Sequence, residues 1–452
     1  MIGGRILEPN LTPIKKQKNK YYFSIQKKFW FSHVMSFMWL ILSIYLSLPW
    51  LFDLSDIVTM PGAIFIITGI AYIPGYMSAF LIISLILDKQ PNFKNEFPTE
   101  SVTLLVAAYN EEKGIYHTLK YVADQDYTGE IQVIVINNNS SDQTTEEVLR
   151  AKKELKANIS ILHESNPGKF NALNTGLKHV KTPYVITLDA DTLIHPSAVR
   201  YLVSRIKSSP DDVCAVAGSM LVRNSRETIW TKIQEWDYFL GIASIKRLQG
   251  LYQGTLVAQG AFSLYKTSCV QEVDGWPDAI GEDIVLTWRL LQKEWKVYFE
   301  PLAVAFTDAP TTLAHFAKQR SRWARGMVEG LKEIKPWQQP QVYTKYLTGI
   351  NLLMLYLDFV YTLCWLPGLV LAFFGINWIV GPMTLLVLPL TFVSYSILYL
   401  YQKHYVFRHL HLKIRINKLG FVMFILFYQM IMSPVSLFGY LQEFFKLRRV
   451  WK

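Results

Sequence analysis

Asp189 and Asp191, in "LDADT", stand just past an apolar β-branched run. Two carboxylates this close repel each other unless a cation lies between them. Hard divalent ions with oxygen ligands, Mg²⁺ or Mn²⁺, suit such a pair, above all when a diphosphate supplies the remaining oxygens. A solvated acidic turn is the plainer alternative, and the position after a strand, late in a βα series, favours the metal. His195 is either a further ligand or a surface histidine before Pro196. Lys169, in "NPGKFNALN", opens a helical pattern, where its charge opposes the helix dipole. A bound anion at that end would relieve the conflict.

A second group lies further on. "GEDIVLTWRLLQKEW" places Ile284, Trp288, Leu291 and Trp295 on one apolar helical face, so Glu282 and Asp283 fall in the first turn, pointing outward. A helix N-terminus favours the ionised carboxylate that a general base needs. Two acids that merely complement the dipole fit as well. In "AKQRSRWARG" a helix over 313–331 puts Gln319, Arg322, Trp323 and Gly326 on a shared face. The guanidinium fork suits phosphate, and the indole offers a platform on which sugars stack. An amphipathic helix lying among lipid headgroups is the competing reading. "AAYNEE" and "INNNSSDQT" close the first two strands. There Tyr109 can stack on a base, and Glu111, Asn138 and Asp142 can bond a ring or ribose. Helix capping explains Asn, Ser and Asp equally.

These groups need a scaffold that gathers them. Strands are expected at 101–109, 131–137, "ISILHE" and 183–189, with helical patterns between them. Phe170, Leu173, Leu177 and Val180 share one such helical face. Strands alternating with helices imply a mainly parallel α/β sheet with right-handed crossovers. In such sheets ligands sit beyond the C-terminal strand ends, where the polar clusters of this chain lie. No GxGxxG follows the first strand, which disfavours a dinucleotide cofactor.

The 452 residues are 51% hydrophobic with a formal net charge of +11, but neither is evenly spread. Residues 1–28 form a basic N-terminus, 29–87 hold two long apolar runs (29–52 and 57–87), and 88–312 read as a soluble domain. An amphipathic interface region follows at 313–345, then 346–452 with apolar runs at 346–375, 376–401 and 419–440. Each run is long enough for a helix to cross a bilayer, giving two helices before the domain and two to three after it. The lysine and arginine bias places the N-terminus, the domain and the basic loop 402–418 in the cytoplasm, with the lipid bilayer as partner. A crossing at 419–440 would carry the basic tail "KLRRVWK" outside, unless Pro434 and Gln429 break that run into a hairpin. The excess charge beside apolar runs fits anionic lipid, not nucleic acid. Cys214, Cys269 and Cys364 form no CxxC pair and read as unreactive thiols.

Taken in order, "AAYNEE", "NNNSSD", "GK..ALN", "DAD", "GED" and "Q..RW" resemble the processive inverting glycosyltransferases of family two, over residues 100 to 335. Within that family the chain is most similar to bacterial poly-β-1,6-N-acetylglucosamine synthases, with hyaluronan and chitin-oligosaccharide synthases behind. The resemblance implies a GT-A, Rossmann-like α/β fold in a multi-pass protein of the bacterial inner (cell) membrane, taking UDP-N-acetylglucosamine from the cytosol. It implies that Asp189 and Asp191 hold Mg²⁺ or Mn²⁺ on the diphosphate and that Asp283 takes the acceptor proton. Arg322, Gln319 and Trp323 would steady the leaving UDP and the acceptor end. Ala107, Tyr109, Glu111, Asn138, Lys169, Gly260 and Glu282 would line the substrate site. Many relatives have Asp at the place of Asn138, and often Ser at that of Gln259. An amide oxygen still accepts from uracil N3–H; the second change bears on the acceptor. Export of the polysaccharide and a small membrane partner subunit would fit the same picture. Competing readings are a single-sugar transfer to a membrane lipid and an inactive assembly partner.

Overall fold

The computed structural model describes residues 23–381 and 387–447. The chain enters through α1 (Ile25–Val58), then turns into α2 (Met60–Ile67), a π-helical turn and α3 (Ile73–Leu87). The two apolar runs of the sequence are therefore two rods, the first passing through Pro49 without a break and longer than its 29–52 core. Most of the basic region 1–28 lies outside the described residues.

Next comes an eight-stranded sheet with the order β3-β2-β1-β4-β7-β6-β8-β5. Its first half is β1 (Val102–Ala108), α4 (Ile115–Ala123), β2 (Ile131–Asn137), α5 (Thr144–Glu154), β3 (Asn158–His163), α6 (Lys169–Leu177) and β4 (Tyr184–Asp189). This matches the alternation expected from the sequence, and these four strands are parallel. The second half is β5 (Leu193–Ile194), α7 (Ala198–Ser208), β6 (Val213–Val222), α8 (Ile229–Trp236), a π-helical turn at 237–242, α9 (Ala243–Leu251) and β7 (Phe262–Lys266). It ends with α10 (Thr267–Glu272), α11 (Glu282–Gln292), β8 (Lys296–Thr307) and α12 (Leu313–Glu333). β7 runs antiparallel to β4 and β6, while β6 and β8 are parallel.

The central strands are continuous apolar runs because both sheet faces are covered. Val102, Leu104 and Val106 of β1 point into one core beside α4 and α7, and Leu105 points into the other beside α6 and α11. β2 repeats this, with Val133 and Val135 on one side and Ile134 and Ile136 on the other. Side chains alternate along a strand, so each run feeds two cores at once. Parallel register then aligns strand ends: Ala107 pairs with Asp189, and Ala108 with Asn137. Cys214 and Cys269 are free and buried.

After the sheet, α13 (Val342–Val360), a π-helical turn and α14 (Leu366–Phe373) form a third rod, and α15 (Val387–Tyr401) and α16 (Lys418–Phe444) follow. Among the described residues four helices are long and apolar enough to cross a membrane: 25–58, 60–87, 342–373 and 418–444. The apolar run 376–401 is not among them, and its residues 382–386 lie outside the described residues. The hairpin expected within 419–440 is overturned, since α16 continues through Pro434 as one helix. Residues 448–452 of the basic tail lie outside the described residues.

Two buried ion pairs lock the exit of α3 onto the sheet domain. Arg247 Nε donates to Asp88 at 2.5 Å, and Arg205 Nε to Glu300 at 2.6 Å. Arg205 also donates to the Pro91 carbonyl and to Gln90 Oε1, while Glu300 Oε1 accepts from Leu302 N–H. Removing one partner strands a buried charge, which costs about 3–5 kcal/mol. Glu300→Ala should therefore lower thermal stability by about that much and open residues 88–97 to limited proteolysis, whereas a charge swap at exposed Lys152 should do neither.

Candidate active site

Asp189 is the last residue of β4, beside Ala107 at the end of β1. Lys169, the first residue of α6, donates its ammonium to Asp189 Oδ1 and lies 3.8 Å from Glu282 Oε1. Burial pulls the Lys169 ammonium down, but the Asp189 and Glu282 carboxylates more than offset it and hold it well above its ordinary value. The anion expected at this helix end is therefore, in part, the protein's own: two carboxylates relieve the conflict between Lys169 and the α6 dipole. Burial raises Glu282 to about 7, Lys169 opposing the rise and Asp283 adding to it. Burial also raises Asp191, with the neighbouring Asp189 charge next in size.

Asp283 comes to the same place through Gly260. Gly260 N–H donates to Asp283 Oδ2 at 3.1 Å, and Ile284 N–H donates to Oδ1 at 2.9 Å. A Cβ on Gly260 would stand 2.9 Å from Lys169 Nζ and 3.6 Å from Glu282 Oε1, so glycine lets the backbone lie against this charge cluster. The turn before α11 then meets α12. A Cβ on Gly326 would be 2.8 Å from Gly281 Cα, and Glu329 Oε2 accepts from the N–H groups of Ile280 and Gly281. The close approach of two glycines and the Glu329 latch thus fix the helix carrying Gln319, Arg322 and Trp323 against the turn carrying Asp283.

On α12 the three arginines separate. Arg322 is exposed and Trp323 is 37% exposed. Gln319 has its Oε1 buried without a partner among the described residues, as an acceptor awaiting a donor. Arg320, which the sequence reading passed over, is fully buried. It bonds Asp237 at 2.7 Å and stacks its guanidinium 4.0 Å from the Trp323 ring centre. Arg325 turns toward α16 and reaches Glu443 at 3.4 Å.

Several expected ligands also make hydrogen bonds within the protein. Asn138 donates to the Glu164 and Asn166 carbonyls and accepts from Gly168 N–H, so its amide braces the loop before Lys169. Asp142 accepts from Glu112 N–H and from Thr144 N–H, tying the loops after β1 and β2 together. His195 is half-buried, with its Nδ1 accepting from Ser197 N–H. Burial lowers it to about 4. Asn110 and Asn139 adopt positive φ, which asparagine tolerates and which lets both loops turn away from the strand ends. Tyr109 is largely exposed at the end of β1, and the Glu111 N–H is held by Thr144. Lys246 is a further group the sequence did not single out. Its ammonium bonds the Val257 carbonyl at 2.7 Å and Gln259 Oε1, beside Gly260. Burial lowers it to about 7, Asp283 opposing the fall.

Asp189 and Asp191 offer oxygen ligands at a strand end, and no group of three or more potential metal ligands exists among the described residues. That donor set fits a hard divalent ion only with further oxygens from a substrate.

Comparison with known proteins agrees with this architecture. The sequence profile described as "Glycosyltransferase like family 2" matches residues 98–326. Poly-beta-1,6-N-acetyl-D-glucosamine synthase of Staphylococcus aureus (strain COL) is 36% identical over 267 residues, covering 56% of this chain and 64% of that protein. The synthase of the same name from Staphylococcus epidermidis is 38% identical over 228 residues, covering 50% and 54%. The match thus spans less than two thirds of these relatives' length. A solved structure of mannosyltransferase PcManGT from Pyrobaculum calidifontis, in complex with GDP-Man and Mn²⁺, shares the fold with a TM-score of 0.58 at 17% identity, over 85% of this chain and 99% of that one. With half of its residues matched from β1 to Gly326, and a mixed, mainly parallel sheet of GT-A type, the chain belongs to glycosyltransferase family 2.

Proposed function

We propose that this chain transfers N-acetylglucosamine from UDP-N-acetylglucosamine to a growing polysaccharide, with inversion, and feeds a poly-β-1,6-linked product outward through the membrane. The domain of residues 88–333 faces the cytosol of a bacterial cell, and the apolar rods cross the inner membrane. The observation that carries this reading is the convergence of Asp189, Lys169, Glu282, Gly260 and Asp283 within hydrogen-bond or ion-pair reach at the sheet's strand ends. The 36% identity to the staphylococcal synthase supports the choice of sugar.

In the mechanism Asp283 accepts the proton of the acceptor hydroxyl as that oxygen attacks the sugar's anomeric carbon, and the bond to UDP breaks in the same displacement. One base opposite the leaving group suffices, and no covalent intermediate is needed. Asp189 and Asp191 would hold Mg²⁺ or Mn²⁺, whose chemistry is to neutralise charge on the departing diphosphate. Lys169, tied to Asp189, adds a second cation on the donor side, and Arg322 a third on α12. Trp323, held by Arg320, gives the acceptor a rigid stacking platform, and Gln319 Oε1 accepts a hydroxyl or N–H from the sugar. Ala107, Tyr109 and Glu111 line the nucleoside end, where β1 stops.

The test is product analysis of the purified full chain in detergent with UDP-N-acetylglucosamine and Mg²⁺ or Mn²⁺. A polymer with 1,6 linkages is expected; a single glycolipid band would establish one-sugar transfer in its place. Asp283→Asn should cut turnover by about 10²–10⁴-fold while UDP affinity stays within a factor of two or so. Asp191→Ala should remove the metal-dependent part of UDP binding, read by calorimetry with and without Mn²⁺, independently of turnover. Glu282 gives a pH prediction. Its folded-state carboxyl titrates at about 7 against an ordinary 4.5, so the folded form holds its proton more tightly. Stability from this group is complete at low pH and falls as pH rises between those values. Thermal unfolding should show wild type losing ground to Glu282→Gln from pH 5 to pH 8, with no further divergence above.

A further inference from the structure

The helix α16 has the length and composition of a membrane span, yet both of its ends are bonded to the sheet domain. At its start Asn417 donates to the Lys232 carbonyl at 2.9 Å and to Glu235, and Trp236 Nε1 donates to the Asn417 carbonyl at 2.9 Å. At its end Glu443 accepts from Lys332 at 2.9 Å and lies 3.4 Å from Arg325. Between these anchors α16 runs beside α12: Phe316 meets Tyr428 with ring centres 6.1 Å apart, and a Cβ on Gly439 would lie 2.5 Å from the Ser321 carbonyl.

A helix of 27 residues is about 40 Å long, against a hydrocarbon core of about 30 Å. If Asn417 stood at the cytosolic surface and α16 crossed, Glu443 would emerge beyond the opposite face. Its partners forbid that. Arg325 and Lys332 belong to α12, which the Gly281–Gly326 contact and the Arg289–Glu333 pair fasten to α11 in the sheet domain. The side of α16 turned from the protein carries Leu419, Val422 and Leu426 near its start and Phe438, Leu441 and Phe444 near its end, exposed at three- and four-residue spacing within each group. Ser433, Ser436, Gly439 and Glu443 are buried. That division suits a helix with one face on protein and the other among acyl chains.

From these contacts we infer that α16 does not cross the bilayer but lies in the plane of its cytosolic leaflet, as a lipid-facing cover over α8 and α12, so that the chain's basic tail stays in the cytosol. This rests on the cytosolic placement of the sheet domain proposed above. Besides α16, three rods among the described residues are long and apolar enough to cross: α1, the α2–α3 rod and the α13–α14 rod. Trp378 meets Trp50 far along α1 while Gln402 donates to Phe239 of the sheet domain, so these two residues stand at opposite ends of the rods. An in-plane α16 also removes the charge conflict of the sequence, since "KLRRVWK" and the loop 402–418 fall on the side where cations are retained.

The experiment places single new cysteines in the full chain, Leu447→Cys after α16 and Lys152→Cys on the exposed face of α5. Each is treated with a membrane-impermeant maleimide in intact cells and after disruption, beside the wild type as background for Cys214, Cys269 and Cys364. Labelling of both variants only after disruption is the expected result. Labelling of Leu447→Cys in intact cells with Lys152→Cys protected overturns the in-plane helix and leaves the function reading standing. Labelling of both in intact cells overturns the cytosolic domain, and this inference with it.

Discussion

One ammonium holds the site together. Asp189, Asp191, Glu282 and Asp283 come from two separate loops, and four carboxyl groups gathered at partly buried strand ends would drive each other apart. Lys169 sits between Asp189 and Glu282, so the donor-side loop and the base-side turn share a counter-charge. The glycine at 260 follows from it, because any side chain there would press on that ammonium. The Lys169 ammonium contacts Asp189 and Glu282, while the Asp191 carboxyl is raised by burial and then by the neighbouring Asp189 charge.

The central half of this arrangement was legible in the sequence, for a physical reason. Strands buried on both faces must be long apolar runs, and the places where such runs stop are where polar groups can reach a ligand. Asp189 was found by that rule, and Asp283 by its place in the first turn of an amphipathic helix. Partners were not legible. Asn138 and Asp142 have the right chemistry for a nucleotide, and within the chain they also bond its own loops. Residue type cannot say whether an acceptor faces a ligand or a backbone N–H nearby in space. The same limit hid Arg320: on a helix it lies about 200° from Arg322, so one is buried against Asp237 while the other meets solvent. Nothing in "RSRW" decides which guanidinium is structural.

Rigidity links these parts. Arg320 is held by Asp237 in a π-helical turn between α8 and α9, and such turns often interrupt helices at functional sites. The ring of Trp323 rests on Arg320, the turn before α11 rests on α12 through Glu329, and Asp283 hangs from Gly260. In the reaction proposed above, a sugar stacked on Trp323 would be held toward the turn of Asp283 by packed helices. Precise placement of this kind supplies much of the rate of a displacement reaction, because the reacting groups meet already aligned.

Apolar content alone could not distinguish a crossing helix from one lying flat, since both need a lipid-facing side. The difference lies in what the ends touch. α1 and the α2–α3 rod meet the sheet domain at one end only, where Phe29 packs edge-on to Tyr252 and Ser84 bonds the Tyr252 hydroxyl. α16 is tied at both ends, and its partner for most of its length is a helix bearing Lys318, Arg322 and Lys332. Moving those cations into hydrocarbon would cost several kcal/mol each. On the in-plane placement proposed above, the helix that carries Trp323 sets the depth of the helix that covers it.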